Sequence, residues 1–310
     1  MTTSRNRKLL RVAFGAVAAA TLTAAAPAAA APAAAAGVAS HGGHGPAWHR
    51  PAPVRPGSTY LALGDSVTFG YREATNLPTP DYPDAASFVG YPEDVAADLD
   101  VHAVNASCPG ETSGSFIDAS APSNGCENAP GGGHGYRDAY PLHVRYAGSQ
   151  LAFAVHYLRR HHDVRLVSLM IGANDGFLCQ ETTADHCASE LPAVLQRIGA
   201  NVRTILGAVR GTGYRGQIVI VNYYSLNYAD ATQNAQSAAL NQAMDTAAAP
   251  FHVRIADGFA TFQRAALQSG GDSCKAGLLT QLTSGGCGVH PSVAGQQLLA
   301  GAVERVVAKR

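Results

Sequence analysis

The chain has 310 residues, with 22 basic and 22 acidic side chains, 46% hydrophobic residues and six cysteines. That length is ample for a large apolar core. The balanced charge excludes a protein that holds nucleic acid through bulk positive potential.

In chain order, Arg5, Arg7, Lys8 and Arg11 form a basic start, and Val12 to Ala29 is a run of Ala, Val, Leu and Thr. This pattern predicts a secretory signal peptide over residues 1–36, cleaved near Ala31 or Ala36, so a secreted, extracellular protein is expected. Asn6 separates Arg5 from Arg7, which favours the general secretion route over a twin-arginine route. Alanine is weakly apolar and no later run is long enough to span a bilayer, so no stable membrane insertion is expected. The leader takes four of the 22 basic residues and no acids, leaving 18 basic against 22 acidic. That excess argues further against nucleic acid or an anionic membrane as partner. Residues 37–56, rich in Gly, His and Pro, read as a flexible linker, and residues 57–310 as one domain.

Within that domain, β-branched and apolar runs predict strands at 59–63, 101–104, 164–171, 217–222 and 252–256. Between and after them, helical patterns fall at 88–98, 149–161, 189–209, 233–248, 258–268 and 292–308. Strands alternating with helices require parallel pairing, because a parallel crossover needs a helix-sized connection. The runs 164–171 and 217–221 are almost continuously apolar, as in strands covered on both faces. An α/β fold follows, a three-layer α/β/α sandwich around a central parallel sheet.

Four short blocks punctuate this pattern: Gly64-Asp65-Ser66-Val67, Asn105 to Thr112 with Gly110, Gly172-Ala173-Asn174-Asp175, and His290-Pro291. Each of the first three falls just after a predicted strand, where α/β sheets place their sites. A serine there needs a base, and a neutral imidazole such as that of His290 can supply one. A charge developing on a substrate oxygen needs preorganised donors. A glycine amide reached without a Cβ and a neutral carboxamide are suitable ones. Asp65 and Asp175 read as turn or cap residues that accept backbone N–H groups.

In order and spacing, the four blocks resemble the SGNH hydrolases, or GDSL esterases and lipases, most closely the secreted actinomycete members. The resemblance covers nearly all of the chain after the leader. It implies a flavodoxin-like sheet, Ser66 as nucleophile, His290 as general base, and an oxyanion hole made by the Ser66 and Gly110 amides with the Asn174 side chain. It also implies a small-molecule or lipid ester as substrate and no cofactor; a monomer is expected, though the sequence itself leaves the oligomeric state open. The family's usual acid three residues before the histidine is absent, since Cys287 stands there. Two sources of orientation for His290 are open: a main-chain carbonyl such as that of Cys287, or an acid such as Asp272 or Asp257. The first is the favoured expectation.

Six cysteines allow fifteen pairings. In an exported chain, pairing of sequence neighbours gives Cys108–Cys126, Cys179–Cys187 and Cys274–Cys287, as is similar in secreted members of the family. No CxxC or HExxH occurs, so no zinc is expected. Phe116, Ile117, Tyr136, Tyr140, Leu142, Tyr146 and Phe177-Leu178 lie in long segments near the predicted catalytic edge, where some of them line an acyl groove or else serve ordinary local packing. The activity expected is that of a serine esterase or lipase working through an acyl-enzyme. A polysaccharide O-deacetylase is the alternative, and a non-catalytic wall-binding protein a more distant one.

Overall fold

The computed structural model describes residues 51–309, so the predicted leader and most of the predicted linker lie outside the described residues. The fold is built from β1 (Thr59–Gly64), α1 (Ser66–Phe69), α2 (Tyr91–Leu99), β2 (His102–Asn105), α3 (Tyr136–Ala139), α4 (Gln150–Arg160), β3 (Val164–Met170), α5 (Ala173–Thr182), α6 (Leu191–Gly211), β4 (Gln217–Val221), α7 (Ala231–Ala248), β5 (Arg254–Ala256), α8 (Gly258–Ala266), β6 (Leu279–Gln281), β7 (Cys287–Pro291) and α9 (Val293–Val306).

Five strands form one parallel sheet in the order β2-β1-β3-β4-β5, the flavodoxin-like order. Its centre is dry. Every residue of β1 and β4 is buried, as is nearly all of β3, because helices cover both faces. α2, α8 and α9 pack together on one face, and α4, α6 and α7 on the other. α6 shows why such a segment becomes a helix here. Val194, Ile198, Val202, Ile205 and Val209 recur at three- and four-residue spacing and all are buried. Side-chain caps start several helices, with Ser149 accepting from the Ala152 N–H and Ser292 from the Gly295 N–H.

Two features depart from the sequence-based expectation. The folded region begins within the predicted linker, because Val54 is buried and its N–H donates to the Ala308 carbonyl. An antiparallel hairpin, β6 with β7, carries His290 on a strand, in a segment between the helices expected at 258–268 and 292–308 where no strand was predicted. Among the described residues, no helix is long and apolar enough to cross a membrane.

Candidate active site

The sheet order reverses direction between β1 and β3, and such a switch point opens a crevice at the carboxyl ends of the strands. Ser66 is the first residue of α1, separated from the end of β1 by Asp65 alone, and Asn174 is the second residue of α5, just beyond β3. Gly110 follows β2 on the neighbouring edge.

Asp65 caps α1, its carboxylate accepting from the Val67 N–H at 3.0 Å, and it is almost fully buried. Its other oxygen accepts from the Tyr223 hydroxyl and lies 3.5 Å from Asn174 Nδ2. Burial pushes this carboxyl up to about 6, against the Tyr223 and Val67 hydrogen bonds that hold it down. Asp65 therefore braces the serine turn and touches the carboxamide opposite. Asp175, expected at a turn or cap, instead accepts from the Ser113 N–H at 2.7 Å and the Ser113 hydroxyl at 2.6 Å. It ties the start of α5 to the loop that follows Gly110. Burial raises its carboxyl, and the Ser113 bonds oppose the rise.

Gly110 has φ 83°, and a Cβ on it would stand 2.5 Å from the Asn124 carbonyl oxygen. Only glycine fits both the left-handed backbone and that approach. The strand end is clamped from beneath. Gln150 accepts from the Gly64 N–H at 2.7 Å and donates to the Gly64 carbonyl at 3.0 Å and to Glu111 at 3.0 Å. Glu111 is fully buried, and its carboxyl is held well above the ordinary range by burial first and the nearby Glu127 second.

His290 meets the serine turn through Tyr71. The Tyr71 N–H donates to the Ser66 carbonyl at 2.9 Å, and its ring packs edge-on against the imidazole at 5.0 Å. The strand carrying His290 is held by the Tyr224 hydroxyl, which donates to the Val289 carbonyl at 2.6 Å. The Thr280 hydroxyl donates to the His290 carbonyl at 3.2 Å.

The expected partner of the imidazole is corrected by the structure. His290 Nδ1 lies 2.7 Å from Glu73 Oε1, and neither the Cys287 carbonyl nor Asp272 nor Asp257 takes that place. Asp272 accepts from the Cys274 and Lys275 N–H groups and pairs with Lys275, while Asp257 caps α8. The loop bearing Glu73 is stitched to the hairpin, with Asn76 Nδ2 donating to the Gln281 carbonyl at 3.1 Å and Leu77 N–H to the same oxygen at 3.2 Å. Burial pushes the Glu73 carboxyl up, but the hydrogen bond and charge of His290 outweigh it and hold the carboxyl below its ordinary value.

Gly288 makes room for this pair, since a Cβ there would lie 2.8 Å from Glu73 Oε1. Gly288→Ala is expected to displace the flexible carboxylate and lower kcat about 10–100-fold, with a nearly unchanged melting temperature. Steady-state kinetics beside a thermal melt checks this.

Three disulfides are present: Cys108–Cys126, Cys179–Cys187 and Cys274–Cys287. The last anchors the start of β7, three residues before His290. The double variant Cys274→Ser/Cys287→Ser is expected to lose about 3 kcal/mol and to melt about 5–10 °C lower by circular dichroism. The proposed groove residues are mostly spent on packing. Phe116 is fully buried, Leu142 and Tyr136 nearly so, and the Tyr146 hydroxyl donates to the Ala106 carbonyl. Tyr140 and Phe177 remain exposed.

A family model described as "GDSL-like Lipase/Acylhydrolase family" matches residues 62–298. The chain belongs to that family. As a GDSL-like acylhydrolase it is a carboxylic ester hydrolase. No curated protein sequence matches it. Among solved structures, it is similar to an acetylxylan esterase from Geobacillus stearothermophilus, with TM-score 0.51 and 17% identity over 82% of this chain and 95% of that one. It is also similar to a protein described as a GDSL-like lipase from Parabacteroides merdae, with TM-score 0.50 and 15% identity over 83% and 98%. At those identities the likeness shows the fold, which the GDSL-like chain shares.

Proposed function

We propose that this GDSL-like hydrolase cleaves carboxylic esters through an acyl-enzyme on Ser66. The observation that carries the reading is the Glu73–His290 pair set against the serine turn through Tyr71. Glu73 accepts the Nδ1 proton and thereby leaves the Nε2 lone pair to take the Ser66 proton. The Ser66 oxygen attacks the ester carbonyl, and the oxygen's negative charge is met by the Ser66 and Gly110 N–H groups and by Asn174 Nδ2. His290 then protonates the departing alcohol, and a water activated by the same imidazole releases the acid. Every group in this scheme comes from one chain, so the scheme itself calls for no second subunit. Three disulfides support an exported protein working outside the reducing cytoplasm.

A second reading, removal of acetyl groups from polysaccharide, is favoured by the aromatic wall beside His290. Tyr71, Tyr82 and Tyr140 form a connected cluster there, of which Tyr140 is exposed, and an exposed tyrosine ring suits sugars as well as acyl chains. An acetylxylan esterase of the same fold is consistent with it. Hydrolysis of p-nitrophenyl esters from acetate to palmitate separates the two. Activity confined to acetate supports the deacetylase, and activity rising toward octanoate or longer supports the lipase. No turnover of any ester by folded protein would overturn both.

A further inference from the structure

We propose that Asn124 is a positioning residue that holds the two non-serine oxyanion donors, Gly110 and Asn174, in one fixed relation. The inference rests on the function proposed above.

Asn124 belongs to none of the four sequence blocks, yet it touches two of them. Its side-chain Nδ2 donates to Asn174 Oδ1 at 3.1 Å. Its backbone N–H donates to the Gly110 carbonyl at 2.8 Å. Its own carbonyl is the atom that a Cβ on Gly110 would strike. One residue thus sets the height of the Gly110 peptide and the rotation of the Asn174 amide.

The rotation matters because a carboxamide has a donor end and an acceptor end, and only the donor end can stabilise an oxyanion. Asn124 Nδ2 requires an acceptor, so it selects Asn174 Oδ1. On the opposite end, the Asp65 carboxylate lies 3.5 Å from Asn174 Nδ2 and requires a donor. Both neighbours select the same orientation. Asn174 has two N–H protons on that nitrogen. One faces Asp65, and the other is left for the substrate oxygen.

The frame around Asn124 is stiff. Cys126, two residues on, is bonded to Cys108, two residues before Gly110. The Cys108 N–H donates to the Gly64 carbonyl at 3.2 Å, which ties this loop to the end of the serine-bearing strand. A donor fixed before the reaction needs no reorganisation as charge develops.

The test is a double-mutant cycle on the full chain with p-nitrophenyl butyrate, kcat being expressed per folded molecule from a thermal melt. Asn124→Asp replaces the donor by an acceptor and invites Asn174 to turn its nitrogen away from the substrate. Asn124→Ala removes the donor without adding charge and keeps the main-chain bond to Gly110. Each is expected to lower kcat about 10–100-fold with KM within about twofold. In an Asn174→Ala background the same changes are expected to cost less than about threefold, because the amide they orient is gone. A merely structural role would cost the same in both backgrounds. The proposal is overturned if either variant keeps wild-type kcat, or if the loss persists undiminished without Asn174. Should Ser66→Ala retain wild-type turnover, the underlying functional reading fails instead. An inactive Ser66→Ala beside an unimpaired Asn124→Asp would isolate the failure to Asn124.

Discussion

Replacing Ser66 by alanine is expected to reduce kcat at least about 10⁴-fold on every ester the wild type cleaves, with the fold intact. The size of the effect follows from the site. Ser66 opens α1 after the all-buried strand β1, and the Asp65 cap holds the turn with a bond to the Val67 N–H. With the hydroxyl gone, the proposed oxyanion donors and His290 remain, so some acceleration over water is expected to survive and no covalent intermediate to form. A burst of p-nitrophenol equal to the enzyme concentration in wild type, absent from the variant, is the second readout. The change removes one small polar hydroxyl and no apolar group, so the apolar packing around Ser66 is kept. Wild-type turnover in the variant would exclude Ser66 as nucleophile.

Glu73→Gln is expected to lower kcat about 10²–10⁴-fold while Asp272→Asn and Asp257→Asn stay within about twofold of wild type. Glutamine can keep a contact to Nδ1, but a neutral amide neither stabilises the imidazolium nor enforces the tautomer that leaves Nε2 free. The two aspartates cap turns elsewhere and have no bond to the ring. The Glu73 carboxyl also has a stability consequence, whose sign follows from its lowered folded value. The unfolded chain binds its proton more readily than the fold does. Its contribution is therefore present above the ordinary glutamate range and is lost as pH falls through the depressed folded value. Chemical denaturation of wild type and Glu73→Gln from pH 7 to pH 3 is expected to show the gap between them closing toward acid. An unimpaired Glu73→Gln, or a large loss in Asp272→Asn, would return the orientation of His290 to another group.

The two predictions differ in how they become visible. Ser66 is legible from its neighbours along the chain, because an apolar strand and a following helix locate a serine at a sheet edge whatever the rest of the molecule does. Glu73 is 217 residues from His290 and lies in a loop with no motif. No periodicity or spacing links them. Glu73 is one of several acids that follow the Ser66 block, with Asp81, Asp84 and Glu93 close behind it. Asn124, fifty residues from Asn174, is hidden for the same reason. α5 is not legible in the sequence because Ala173 to Thr182 has no apolar stripe, and the segment becomes a helix packed against α6.

What the sequence alone determined is whatever depends on local pattern. The five strands of the sheet, the principal helices and the order of the four blocks follow from apolar runs and their periods, which act within a dozen residues. The tertiary structure alone decided which charged and polar side chains face one another. It placed Glu73 on His290, Asp65 on Tyr223 and Asn124 on Asn174. Burial of apolar surface is non-directional and is written into composition. A hydrogen bond is directional, and its partner is chosen only when the sheet order brings two distant loops to the same edge.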